Sequence, residues 1–186
     1  MVQGPAGFDA YARVLDVPDP RFEGQPEDDI DDGALDAMPD TPELFAAVAD
    51  ILVPLTSTPD DLRFLLWEGW PYEPALPNGP RFDIYGMSAC ALASGAFEDW
   101  FGWTESGPNR GYPPAFVWPE DRAWCLAYDV DSHFLGIGGA ADAIARVLAQ
   151  SPDVPSHLPL IRPVSKSPTA RASRFAASGE RLTATR

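Results

Sequence analysis

Three residues with metal-binding side chains, Asp129, Asp131 and His133, stand at alternate positions of one short segment. On a strand that rises about 3.3 Å per residue, alternate side chains project from the same face. Two carboxylates and an imidazole are ligands of divalent metals, so one hypothesis is a metal-dependent enzyme built on these residues. The competing interpretation is a hairpin turn, because Asp side chains bond to nearby backbone and Ser132 also suits a turn. A complete metal site needs more ligands than this hairpin offers, and the sequence therefore favours the turn.

Two other patterns have both a chemical and a simpler interpretation. Residues 136–141 match G-x-G-x-x-A between a predicted strand and a predicted helix, a geometry that presents backbone N–H groups to a phosphate. No second βαβ unit and no ribose-binding acidic residue follow, so a glycine turn that opens a helix explains the motif equally well. Glu120 and Asp121 could act as an acid–base pair, but the neighbouring Arg122 favours a salt-bridged turn.

The two cysteines, Cys90 and Cys125, are too few for a disulfide framework. Cys125 and His133 could form a thiol–imidazole pair across the predicted hairpin. However, Cys125 lies between Trp124 and Leu126, and a thiol in apolar surroundings behaves as a small, inert, buried group. We therefore expect two reduced cysteines. The sequence as a whole favours a protein that is not an enzyme over the metal-dependent alternative, and we expect no cofactor.

Six tryptophans are many for a chain of 186 residues. Most are expected in the core, but aromatic residues also concentrate at protein–protein interfaces and carry much of the binding energy there. The hypothesis that we favour is a non-enzymatic protein-binding domain that contacts a partner through an acidic and aromatic surface. The candidate partner-binding residues are Trp67, Glu68, Trp70, Trp100 and Trp103.

The charge of the chain is strongly negative and unevenly spread. The net charge is −15, from 28 acidic and 13 basic residues. Residues 163–186 contain five basic residues and one acidic residue, a net of +4, so the remainder carries −19. A body of that charge repels phosphate, and we expect it not to bind nucleic acid. A third hypothesis is an acidic mimic of nucleic acid that occupies a basic groove.

The expected cellular compartment follows from features that the sequence lacks. It has no run of about 18 apolar residues, the length that spans a bilayer. Its first residues, MVQGPAGFDA, have neither the positive nor the apolar region of a signal peptide. With few cysteines as well, we expect a soluble cytoplasmic protein that makes no membrane contact.

The elements that would position these residues indicate one α+β domain, an antiparallel β-meander flanked by helices. Residues 1–40 form an irregular, acidic, Pro-rich segment with a short helix, residues 41–162 form the domain, and residues 163–186 form a disordered basic tail. Helices are predicted at 8–15, 41–55, 89–101 and 138–150, and strands at 62–67, 81–87, 115–118, 123–131 and 134–137.

Several short motifs resemble a pattern of small uncharacterised proteins from high-GC Gram-positive bacteria. They are WEGW at 67–70, PRFDIYG at 80–86 and WPEDRAWC at 118–125, with DVD at 129–131 and IGG at 137–139. The resemblance covers residues 41–148 and is carried chiefly by W-P-x-D-R-A-W-C. It implies no catalytic residue, because that family has no function to carry over.

The order of the elements resembles a second family, the SUKH superfamily of immunity proteins. The shared order is an early helix, a W-x-G turn, an antiparallel meander and a closing helix. Members of that superfamily bind toxin partners, so this likeness implies an immunity role. The acidic segment before residue 41 and the Ser- and Arg-rich tail depart from it.

Overall fold

A computed structural model shows how the chain is arranged. It describes residues 7–15, 17–18, 21–26, 29–30, 33, 40–73, 76, 79–84, 88–104, 109–110, 112–128, 134–149 and 162–163. The predictions for most of the acidic segment after residue 15, for residues 129–133 and for the tail from residue 164 fall outside these ranges. Within them, no helix is long and apolar enough to cross a bilayer.

Eight strands of the described residues join into one antiparallel sheet. They are β1 (Ala10–Leu15), β2 (Leu62–Trp67), β3 (Arg81–Ile84), β4 (Ser88–Gly95), β5 (Phe116–Pro119), β6 (Trp124–Ala127), β7 (Phe134–Gly139) and the two-residue β8 (Arg162–Pro163). Their order across the sheet is β3-β4-β2-β5-β6-β7-β1-β8. Strands β5, β6 and β7 follow one another as a meander. The predicted α+β class with an antiparallel meander is therefore confirmed.

Helix α1 (Thr41–Leu52) begins and ends where the local chemistry requires. The carboxylate of Asp40 accepts the backbone N–H of Glu43 at 3.0 Å and caps the helix. A proline suits the first turn, and Pro42 occupies it. A short 3-10 turn, Val53–Leu55, follows and contains Pro54, which cannot continue the α-helical hydrogen bonding.

Two predicted helices are corrected by the structure. Residues 10–15 form strand β1 rather than a helix, and β1 lies inside the sheet between β7 and β8. Residues 88–95 form strand β4, and only the end of the predicted helix at 89–101 is helical, as part of α2 (Phe97–Thr104). Both strands pair with partners on two sides, and these long-range hydrogen bonds override the local helical preference of their alanines.

The closing helix, α3 (Ala141–Ala149), starts later than expected. The two glycines predicted to open it, Gly138 and Gly139, are instead the last residues of β7. The first residue of the predicted tail also differs, because Pro163 lies in β8 opposite Ala12 of β1. Strands β1 and β8 therefore bring residues of the predicted N-terminal segment and of the predicted tail into the sheet of the domain.

In the described part of the chain, helices α1, α2 and α3 contribute to one core against one face of the sheet. Every second residue of the inner strands points toward them, for example Leu62, Phe64 and Leu66 of β2. The largest fully buried side chain of the core is Trp124, which is 0% exposed. From the helices, the core receives Leu44, Phe45, Val48, Leu52, Phe97, Trp100, Ala143, Ile144 and Val147.

Candidate functional site

The end of strand β2 turns sharply into a cluster of aromatic rings. The N–H of Glu68 still donates to the carbonyl of Ala89 on β4 at 3.0 Å, and the N–H of Trp70 then donates back to the carbonyl of Trp67 at 3.3 Å. Gly69 lies in this turn beneath the Trp67 indole, where an added Cβ would be 2.2 Å from a ring carbon. Glycine is therefore required because the ring occupies the space of a side chain.

Four rings form a continuous run, which we call the aromatic turn: Trp67, Trp70, Tyr112 and Tyr72. The indoles of Trp67 and Trp70 meet edge to face with centroids 5.2 Å apart. Trp70 stacks on Tyr112 at 4.9 Å with the planes inclined by 14°. Tyr72 meets Tyr112 edge to face at 5.8 Å. These are the geometries that aromatic pairs prefer, so each ring fixes its neighbour.

Asn109 joins the two loops that supply these rings. Its side-chain oxygen accepts the N–H of Glu73 at 2.9 Å, and its amide donates to the carbonyl of the same residue at 2.8 Å. It is 1% exposed and is the one buried polar residue in the described part of the chain. Its own carbonyl accepts the N–H of Tyr112 at 3.1 Å, so the amide positions the ring that stacks on Trp70.

The aromatic turn has an acidic rim. The side chains of Glu68 and Glu73 lie on either side of it and are exposed. The Glu68 carboxylate pairs with the guanidinium of Arg81 on β3, which also donates to the carbonyl of Gly79 at 3.0 Å. Trp67, Trp70 and Tyr112 are half-buried. The site therefore presents fixed ring surface to solvent beside carboxylates.

The groups beneath the aromatic turn are not reactive. Burial, with smaller contributions from Glu68 and Asp83, raises the pKa of the Cys90 thiol to about 11. Burial, and then Cys90, raises the pKa of the Tyr72 hydroxyl above its usual range. Both groups are neutral at neutral pH, and a neutral thiol is a poor nucleophile. Burial therefore disfavours Cys90 as a nucleophile.

The other cysteine behaves in the same way. Cys125 on β6 is buried, and burial raises the pKa of its thiol to about 12. Neither cysteine is in a disulfide, so the expectation of two free, buried thiols is confirmed.

The predicted partner-binding residues do not all meet at this site. Trp67, Glu68 and Trp70 do. Trp100 does not, because it is 5% exposed and packs in the core against Phe45. That part of the prediction is wrong, since α2 turns the ring inward toward α1. The side chain of Trp103 lies outside what the structure describes.

The site also contains residues that sequence reasoning missed, Asn109 and Tyr112. A tyrosine in a turn-rich stretch was the available indication for Tyr112, since an aromatic residue there has little local core to join. Nothing in the local pattern singles out Asn109, because its role depends on a backbone 36 residues away.

The predicted metal ligands Asp129, Asp131 and His133 all lie outside the described residues, and the metal-dependent enzyme stays a prediction. Elsewhere, among the residues that are described, no three His, Cys, Asp or Glu side chains come together as a metal site would require.

The acidic pair of the W-P-x-D-R-A-W-C motif forms a structural clasp. Glu120 pairs with Arg63 at 2.8 Å. The Asp121 carboxylate accepts the N–H and the hydroxyl of Ser57, each at 2.7 Å, and the N–H of Ala123 at 3.0 Å. We call these contacts the Asp121 clasp. The expected salt-bridged turn is thus corrected in detail, because Glu120 pairs with Arg63 of β2 and Asp121 binds Ser57 in the loop before β2.

Comparison with known proteins finds no relative of this chain. None of the family models, curated proteins or solved structures compared with this chain matches it.

Proposed function

We propose that this chain is a protein-binding domain whose contact surface is the aromatic turn. One observation carries the proposal: the half-buried stack of Trp70 on Tyr112 is held in place by a buried amide and is flanked by exposed carboxylates. Both rings pack against the edge of the core, and the part of each ring that stays accessible is the part a partner would contact.

The rigidity of the aromatic turn favours tight binding. Ordering a side chain on association costs about 0.5–1.5 kcal/mol, and a ring already stacked in the free protein avoids most of that cost. Tryptophan and tyrosine are also the residues most often responsible for the affinity of an interface. Stacking of Trp70 and Tyr112 before the partner arrives therefore supports a role as the anchor of the interface.

The acidic rim indicates the chemistry of the partner. A lysine or arginine on the partner can lie over the face of a ring while the exposed carboxylate of Glu73 attracts its charge. The net charge of −15 attracts such a partner from a distance. We therefore propose a partner protein with a basic and apolar contact segment.

The resemblance to the SUKH superfamily adds a more specific proposal, that the partner is a toxin and the chain its immunity protein. The order of helix, W-x-G turn, meander and closing helix supports this role. A toxin encoded beside this chain would support it further, and its absence from the neighbouring genes would argue against it.

The experiment compares capture of a partner by the wild type and three variants of the chain. Trp70→Ala and Tyr112→Ala each remove one half of the stack, and Phe22→Ala is the control because Phe22 is a 58% exposed aromatic residue that is not one of the four rings of the aromatic turn. We expect the wild type and the control to retain the same partner, and the two site variants to lose it. Titration calorimetry with that partner should show a loss of about 2 kcal/mol, or roughly 30-fold in affinity.

Equal capture by all versions would contradict the proposal. The far-ultraviolet circular dichroism and the thermal unfolding of each variant show whether it is folded. A salt titration of the wild-type complex should weaken binding, because the attraction between a basic segment and the acidic rim is screened.

A further inference from the structure

The chain itself contains a segment with the chemistry that the aromatic turn is proposed to bind. Residues 164–186, which follow β8 and which we call the 164–186 segment, have five basic residues and one acidic residue, a net charge of +4. Apolar side chains follow two of its arginines directly, as Arg174-Phe175 and Arg181-Leu182. The proposed partner segment is likewise basic and apolar, so the 164–186 segment has the composition of a ligand for this site.

The end of β8 lies within reach of the aromatic turn. Five strand spacings separate β8 from β2 in the sheet, or about 24 Å at roughly 4.8 Å each. The register places Arg162 of β8 in one row with Leu65 of β2, so the aromatic turn lies about 15 Å further along the strands. Residues 164–175 span up to about 40 Å when extended, because each residue covers about 3.3 Å. Arg174 and Phe175 can therefore reach the rings.

One carboxylate beside the aromatic turn remains available to an arginine. Several other acidic side chains of the described surface already pair with arginines, namely Asp40 with Arg110, Asp61 and Glu120 with Arg63, and Glu68 with Arg81. Glu73 is exposed and forms no ion pair with another described residue. Asn109 fixes the backbone of Glu73 at the rim of the aromatic turn. An arginine that pairs with Glu73 can lie over ring surface at the same time.

The covalent link makes a weak contact effective. An exposed ion pair and an exposed cation–π contact are each weak, so a free peptide of this composition should bind with a dissociation constant in the millimolar range. Because the chain links the 164–186 segment to the site, its effective concentration there is also about millimolar. The contact should then form in about half of the molecules.

We infer that the 164–186 segment occupies the aromatic turn of its own chain until a partner displaces it. The inference rests on the proposed function, because it describes how that binding site is regulated. Occupation of half of the molecules weakens the apparent affinity of every external ligand about two-fold. A ligand that offers only positive charge competes poorly with the linked segment, whereas one that also fits the rings displaces it.

The experiment places a nitroxide on the full chain through Ser178→Cys and records the indole N–H signals of the tryptophans by NMR. The label reacts with the new thiol because Cys90 and Cys125 are buried, which raises their pKa to about 11 and about 12. We expect the signal of Trp70 to lose at least about half of its intensity relative to the reduced label. The signal of Trp124, which is fully buried in the core, should lose much less.

Variants of both sides test which groups make the contact. Glu73→Gln removes the carboxylate of the site, and the double variant Arg171→Gln with Arg174→Gln removes two charges of the segment. Each should restore at least about half of the lost Trp70 intensity, as should raising sodium chloride from about 50 to about 500 mM. Arg146→Gln is the matched control, because Arg146 is an exposed residue of α3 outside the segment, and it should restore nothing.

Equal losses at Trp70 and Trp124 would overturn the inference, as would a loss that persists in both Glu73→Gln and high salt. A loss seen only when labelled and unlabelled chains are mixed would also overturn it, since that contact joins two chains. If the Trp70 signal is unaffected and Trp70→Ala still loses the partner, the inference fails and the proposed function stands. If Trp70→Ala keeps the partner, the proposed function fails whatever the label reports.

Discussion

The loops at the two ends of strand β2 are held in place by different kinds of contact. Before its first residue, the Asp121 clasp holds the loop at Ser57 and Thr58 against the turn between β5 and β6 through hydrogen bonds. After its last residue, the aromatic turn holds a loop through stacked rings and the amide of Asn109. The first end is a polar network and the second is an aromatic one.

The difference lies in what each end leaves for a partner. Both carboxylate oxygens of Asp121 already accept hydrogen bonds from this chain, and Thr58 accepts the N–H of Asp121 itself at 3.3 Å. At the other end, Trp67, Trp70 and Tyr112 are held rigidly but remain half-buried. A polar group satisfied within the chain stabilises the fold, whereas a fixed ring with accessible surface is suited to bind. Three measurements test this contrast.

The largest effect is expected at the aromatic end, from Asn109→Ala. The substitution leaves the part-buried N–H and carbonyl of Glu73 without the amide of Asn109, and each group left unpaired costs about 1–3 kcal/mol. We expect a loss of about 3 kcal/mol in the free energy of unfolding, measured by urea denaturation. Glu73→Ala keeps the same backbone contacts and should cost less than about 0.5 kcal/mol. Equal losses in the two variants would show that the amide does not hold the loop.

A smaller effect is expected at the polar end, from Asp121→Ala. Hydrogen bonds to a carboxylate are stronger than neutral ones, but the exposure of this residue reduces their net contribution. We expect a loss of about 1.5 kcal/mol by urea denaturation, with partner binding unchanged. Glu120→Ala is the matched control, because it removes a surface ion pair worth at most about 1 kcal/mol. Loss of partner binding in Asp121→Ala alone would break the contrast between the two ends.

The smallest effect is the pH dependence of the Asp121 clasp. Partial burial acts to raise the pKa of Asp121, but hydrogen bonds from Thr56, Ser57 and Ala123 outweigh it and hold the pKa at about 2. Because this pKa is lowered in the folded chain, its stabilisation is present above the unfolded value of about 4 and is lost as the pH falls toward 2. The stability difference between wild type and Asp121→Asn should therefore shrink from pH 5 to pH 2.5. A constant difference would show that the charge of Asp121 does not contribute.

The sequence predicted the elements whose partners are local or whose pattern is strong. Strand β2 is a short apolar run after a turn, and β7 follows a hairpin in the meander. The sequence predicts a helix where strand β1 lies, because the apolar and aromatic residues of β1 also fall at helical spacing. Apolar side chains on both faces of the sheet remove the alternation that identifies a strand. Strand β4, SACALASG, consists of small residues, and its neighbours β2 and β3 supply the large side chains.

The candidate site was predictable where residue type alone carries information. Trp67, Glu68 and Trp70 lie in one short motif, and all three are at the aromatic turn. The remaining members required three-dimensional contacts, because Asn109 meets Glu73 across 36 residues. Trp100 shows the converse, since the same residue type faces the core when its helix is rotated inward. Whether a side chain faces the core or the solvent depends on how its helix or strand packs, and residue type alone does not give that information.

The position of β1 inside the sheet also governs when the fold can be completed. Leu15 pairs with Phe134 and Ala10 with Gly139, so 119 to 129 residues separate the two strands along the chain. During synthesis at about 5–20 residues per second, β1 must wait many seconds for its partner to be made. Closing so long a loop has a high entropic cost, and sheets built on distant pairs fold slowly. Until that pairing forms, the edges of β1 and β7 are unprotected, so nascent and refolding chains are most exposed to aggregation and chaperone capture at this last step.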